Sequence, residues 1–150
     1  MRFRCLATPG SVLEAWHGDA LAVGLFADPH HSCWTQLVGL FGADLERHLE
    51  QRHFKGKPGE CACIERLGAS PSLLILVGLG EPSAFHLTEL RLASATAARQ
   101  AYRAGGRELG LWMPVEGLEP AAAASAMGEA DRESTRLNSR HSSVSRMPSS

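Results

Sequence analysis

Residues 73–80 read LLILVGLG, with Leu73, Leu74, Ile75, Leu76 and Val77 in unbroken succession before a Gly78-Leu79-Gly80 turn. A run with no polar residue on either alternating face predicts a strand covered on both sides in an α/β sheet. It is expected to be the central strand. Working outward, shorter strands and a helix are expected upstream, and residues 87–104 carry the pattern of the helix that folds back onto the strand. With 150 residues the chain has the size of one domain and can bury a sizeable core.

Upstream, Arg2 to Ala7 alternates as a short edge strand ended by Pro9-Gly10. Trp16 and a Gly18-Asp19 turn introduce a second strand over residues 20–26, with Leu21, Val23 and Leu25 on one face and Ala22, Gly24 and Phe26 on the other. Phe41, Leu45 and Leu49 recur at four-residue spacing among Asp44, Glu46, Arg47, Glu50 and Arg52, which describes an amphipathic helix. Gly39 and Gly42 argue against an unbroken helix from Thr35, and Asp44 has the chemistry of an N-cap. His48 and His53 are expected on the polar side. Residues 54–60, FKGKPGE, form a turn, and residues 61–67 a further strand.

Downstream, Thr88 is the expected cap of the long helix, with Leu87 and Leu92 as a hydrophobic staple. Leu90, Ala93, Ala97 and Ala101 give it a small-residue face, while Arg91, Arg99 and Arg103 face water. Residues 109–115 form a strand that Pro114 ends or places at an edge. An alanine-rich helix begins at Glu119.

Four groups of residues could carry chemistry, and each has a plainer reading. His30, His31 and Cys33 are possible metal ligands, but no carboxylate or further cysteine stands at ligand spacing, so solvated loop residues are expected. Cys61 and Cys63 share one face of a strand, where they are expected as buried small hydrophobes sooner than as a disulfide or zinc pair. Lys55 and Lys57 fit a charged connection better than a phosphate site. Gly78-Leu79-Gly80 follows a strand as phosphate-binding turns do, yet Ser83 stands where the third glycine of G-x-G-x-x-G belongs and the helix starts late. No catalytic, cofactor-binding or metal-binding residue is therefore assigned, and no paired carboxylates or Ser-His-Asp or Cys-His arrangement is legible.

The last twenty residues, DRESTRLNSRHSSVSRMPSS, are rich in serine and arginine and lack any structural period. DRESTRLNSRH closely resembles D-R-K-S-T-R-L-N-S-S-H, the translation of a short-read sequencing adapter, departing at Glu133 and Arg140. Residues 131–150 are set apart as a non-native or disordered tail, and 1–130 as the domain. The tail places four arginines against Asp131 and Glu133, so the other 130 residues of this chain of net charge −1 are mildly acidic. That argues against a nucleic-acid surface. MRFRCLATPG has no apolar stretch behind its arginines and no run approaches a membrane span, so a soluble cytoplasmic protein is expected.

Five stretches, GDALAVGLF, FKGKPGE, LLILVGLGE, TELRLASATAARQA and EGLEPAAAASAMGEA, together resemble the N-terminal domain of leucyl aminopeptidases, or cytosol aminopeptidases, in order and spacing. The resemblance spans about residues 18–130. It implies a mixed sheet flanked by helices, a macrodomain-like three-layer domain, followed by a catalytic metallopeptidase domain. In that family the catalytic domain holds two divalent metals, zinc or manganese, and releases N-terminal amino acids from peptides. Its N-T-D-A-E-G-R metal-binding stretch has no counterpart in this sequence. The resemblance thus implies a noncatalytic fragment without cofactors of its own, belonging to a parent that is a homohexamer and meets peptide substrates through the absent domain. The alternatives are a stand-alone macrodomain-like module binding a nucleotide or ADP-ribose at Gly78 to Gly80, and a short structural protein that binds DNA.

Overall fold

The computed structural model describes residues 2–6 as backbone, and residues 18–69, 71–130 and 132 in full. The tail from Asp131, apart from Arg132, and the expected features at Ala7, Pro9-Gly10 and Trp16 lie outside the described residues. Five strands form one sheet: β1 (Arg2–Leu6), β2 (Ala20–Phe26), β3 (Cys61–Glu65), β4 (Leu73–Gly80) and β5 (Glu108–Trp112). Their order is β1-β5-β2-β4-β3. All neighbours are parallel except β3, which runs antiparallel to β4 as the outer strand. The protein is an α/β domain with a mixed sheet flanked by helices.

All eight residues of β4 are buried. Since successive side chains point to opposite faces, both faces of the strand are covered. The middle of the five strands is nevertheless β2, also buried throughout. The apolar run reports burial, and burial is the same for the two interior parallel strands. β5 is interior as well, and ends two residues before Pro114. Expected strand 61–67 stops at Glu65, where Arg66 N–H donates to Ser72 O at 2.6 Å and turns the chain toward β4.

Among the described residues, two helices, not one, precede β3. α1 covers Ser32–Phe41 and α2 covers Ala43–Gln51. Gly39 is accommodated inside α1, and the break falls at Gly42, whose φ of 87° takes the chain out of one helix and into the next. Gly42, and not Asp44, is therefore the N-cap of α2; Asp44 sits in its first turn and pairs with Arg47 at 2.9 Å. Leu45 and Leu49 are buried as the spacing predicts. His53 is exposed, whereas His48 is half-buried and its Nε2 is enclosed without a hydrogen-bond partner.

After β4, a short 3₁₀ turn at Pro82–Ala84 leads to α3 (Leu87–Arg103), which lies across β2, β3, β4 and β5. His86 precedes the helix as its N-cap, and its N–H donates to Glu89 Oε2 at 2.9 Å. Thr88 is thus inside the helix, and Leu92, 63% exposed, forms no staple. Leu90, Ala93, Ala97 and Ala101 are buried as expected, joined by Ser94 and Ala98. Arg91 and Arg103 are exposed, and Arg99 is half-buried. The small side chains let α3 approach the sheet closely, so contact replaces bulk.

A further helix, α4, covers residues 120–130, and residue 132 is helical as well. Glu119 caps it by accepting from Ala121 N and Ala122 N at 3.1 and 2.7 Å. Its inner face is Ala123, Ala126, Met127 and Ala130, and Glu129 pairs with Arg91 of α3 at 2.6 Å.

Asp19 holds the N-terminal ends of three strands together. Its carboxylate accepts from Arg107 N at 2.9 and 3.1 Å and from Glu108 N at 2.8 Å, which starts β5. Its carbonyl accepts from Leu73 N at 2.9 Å and Ser72 Oγ at 3.2 Å, which starts β4. A short acidic residue after glycine reads as a turn in sequence. Its partners, more than fifty positions away, are visible only in the fold.

Candidate functional site

Ligands of open α/β sheets bind beyond the carboxyl ends of the strands. In this protein that region is occupied by residues 54–60 of the chain itself. Gly80 N–H donates to Gly56 O at 2.8 Å, Gly78 N–H to Glu60 O at 2.9 Å, and Ala27 N–H to Gly80 O at 2.8 Å. A Cβ on Gly78 would collide with Lys57 O, and one on Gly56 with Phe26 O. Backbone meets backbone at both positions, so glycine is required by packing. Gly80 has a φ of 81°, and its missing side chain makes room for Pro58. The amides that could have faced a phosphate at Gly78 and Gly80 are spent inside the protein.

Lys55 and Lys57 are exposed, and their backbone N–H groups both donate to Glu60 Oε1, at 3.2 and 2.6 Å. These two bonds close a compact turn through the backbone. His31 accepts through Nδ1 from Cys33 N at 3.2 Å, which caps α1, and its ring meets Phe26 edge-on at 4.7 Å. The loop expected to carry His30, His31 and Cys33 therefore ends at His31, and Cys33 lies in the first turn of α1. His30 is exposed, and its backbone N–H donates to Asp28. Cys33 is buried, and burial pushes its thiol above the usual range, so it is a weak nucleophile. Among the described residues no three His, Cys, Asp or Glu side chains cluster where they could hold a metal ion.

A cavity of about 600 Å³ opens elsewhere, between α1, α2 and residue 54. Trp34, Val38, Leu49 and Phe54 form its apolar wall, and Glu46, Glu50 and Lys55 are its charged lining. Trp34 is fixed by donating from Nε1 to Phe26 O at 2.8 Å, and its ring lies 6.1 Å from that of Phe54. Nothing in the linear sequence joins Trp34 to Phe54. The only signal was an aromatic residue on each side of an amphipathic helix. The lining offers apolar contact and three charges, and no nucleophile activated by a base.

Comparison with known proteins places these features. Residues 22–135 match the sequence model of the cytosol aminopeptidase family, N-terminal domain. A probable cytosol aminopeptidase of Parasynechococcus marenigrum strain WH8102 is 45% identical over 134 residues, which cover 88% of this chain and 26% of that protein. One from Prochlorococcus marinus strain MIT 9313 is 41% identical over 122 residues, covering 81% of this chain and 25% of the other. The chain thus spans about a quarter of the length of these curated relatives. Among solved structures, a mutant tomato leucine aminopeptidase superposes with a TM-score of 0.69 at 22% identity, over 87% of this chain and 27% of that one. At that identity the likeness shows the fold.

Proposed function

The chain belongs to the cytosol aminopeptidase family, whose N-terminal domain it matches, and from that premise we propose that it is the noncatalytic N-terminal part of a longer cytoplasmic aminopeptidase. The observation that carries this reading is the one-sided coverage: four-fifths or more of this chain aligns, against about a quarter of each relative. The whole protein would release N-terminal amino acids from peptides by two-metal hydrolysis. Two divalent ions need clustered carboxylate or imidazole donors. The described residues do not fit such a pair, so no step through metal is derived for them. The domain would contribute packing and assembly, in a homo-oligomer of the hexameric kind, with the wall of Trp34, Val38 and Phe54 as its contact surface. Kinship to the macrodomain fold belongs to the same proposal. Among the described residues no helix is long and apolar enough to cross a membrane.

Residues 131–150 are proposed to be foreign to the domain, although the family match reaches residue 135. Long reads of the source DNA, primed in the codons for residues 73–80 and running past codon 130, test both points. The expected frame continues into a further domain with a lysine and acidic metal-ligand cluster. A stop codon after an encoded Ser150 would overturn the proposal.

A further inference from the structure

Among the described residues β3 is the outer strand, with β4 as its one strand partner. Cys61 and Cys63 stand on one of its faces, opposite Val77 and Ile75. Both are half-buried free thiols, and they are hydrogen-bonded to each other. Cys63 Sγ also lies 3.7 Å from Gln100 Oε1 of α3, and the Arg52 guanidinium at the end of α2 acts on it, opposed by Glu65 of β3 itself. A groove of about 240 Å³ between β4 and α3 reaches Glu60 and Val77, the chain neighbour and the strand partner of Cys61, and is flanked by the exposed Leu92.

We propose that Cys61 and Cys63 form a reversible modification site for low-molecular-weight disulfides of the glutathione class, with Cys63 as the attacking thiol and Cys61 as the resolving one. The inference is independent of the aminopeptidase reading. The Cys63 thiol is pulled down from the ordinary 9.0 to about 7, first by the hydrogen bond from Cys61, with burial opposing and Arg52 assisting. Cys61, the donor, is held up by the same bond. In the first step the Cys63 thiolate attacks one sulfur of the small disulfide. A Cys63–sulfur bond forms, the small disulfide's bond breaks, and one small thiolate leaves. Capping Cys63 removes the shared hydrogen bond, so Cys61 can give its proton to solvent or to the departed thiolate. The Cys61 thiolate then attacks Cys63 Sγ and expels the second small thiol. Two protein thiols are oxidised to one disulfide, and one small disulfide is reduced to two thiols.

Two residues of extended strand span about 6.4–6.8 Å, the upper end of the Cα separation that a disulfide bridges. The bridge is therefore strained and readily reduced, which suits a labile modification and not a structural staple. An outer strand with one partner can twist to accept it.

The test treats the full 150-residue chain with oxidised glutathione across pH 5.5 to 9.5 and follows the tryptic peptide of residues 56–66, which contains both cysteines and neither Cys5 nor Cys33. Wild-type peptide is expected to lose two hydrogens, to regain them with dithiothreitol, and to react at half its maximal rate near pH 7. Cys61→Ser keeps a donor to Cys63 and should stop at one glutathione adduct with a similar pH midpoint. Cys61→Ala, lacking that donor, should form the adduct with its midpoint moved upward. Cys63→Ser should leave the peptide unmodified. An unmodified wild-type peptide, a midpoint near 9, or Cys63→Ser reacting as fast as wild type would overturn the proposal.

Discussion

The closed end of the sheet and the open flank beside it are built from similar residues and behave oppositely. At the closed end, residues 54–60 lie against Gly78 and Gly80 so tightly that no side chain fits between the backbones. On the flank, Trp34 and Phe54 stand 6.1 Å apart around a cavity of about 600 Å³. Phe54 belongs to both, since the turn that seals the strand ends also supplies one wall of the open surface. A glycine turn after a buried strand thus marks close packing here, and the available surface lies one helix away.

The sharpest way to break this comparison is to add one methyl group at the closed end. Gly78→Ala forces Cβ against Lys57 O, and either the turn or the strand must move. The expected loss is about 4 kcal/mol, at the large end of single-substitution effects, measured by urea unfolding of the chain. A loss under about 1 kcal/mol would show the closed end to be as tolerant as the flank. Asp19→Ala comes next, because the start of β5 loses the charged acceptor of Arg107 N and Glu108 N. About 2–3 kcal/mol is expected, with Asp19→Asn between that and wild type. Trp34→Ala on the flank should cost about 2 kcal/mol, less than a fully enclosed aromatic, through lost contact and the unmet Phe26 carbonyl. Thermal unfolding would compare the two directly. The smallest effect has the opposite sign. Ser94 is 0% exposed and its Oγ has no partner, so Ser94→Ala should stabilise by about 1 kcal/mol and raise Tm by a few degrees.

Much of the fold was legible because it is written in local pattern. The run at Leu73–Gly80, the small-residue face of α3 and the stop before Pro114 all follow from burial period and backbone chemistry. The sheet order was not, because β2 and β4 are equally apolar and only hydrogen bonding distinguishes a middle strand from its neighbour. The α1–α2 break was misplaced for a different reason. Gly39 and Gly42 look alike in sequence, while only Gly42 has a backbone angle that requires glycine. The cap at His86 was hidden behind Thr88, a better cap by residue type but two positions too late. Of the functional surfaces, the shared face of Cys61 and Cys63 was visible from their spacing. The wall formed by Trp34 and Phe54 depends on a turn brought across the sheet, and Asp19 depends on partners far along the chain.

The central claim, that catalysis belongs to a part of the aminopeptidase beyond this domain, is tested most directly by a leucine-anilide release assay with Mn²⁺ or Zn²⁺. The 150-residue chain would be measured beside a hybrid in which residues 1–130 precede the remaining three-quarters of the Parasynechococcus marenigrum relative. The expected result is no release by the chain alone and metal-dependent release by the hybrid, at a rate comparable to that of the relative itself. Metal-dependent release by the chain alone, or an inactive but folded hybrid beside an active relative, would contradict the account.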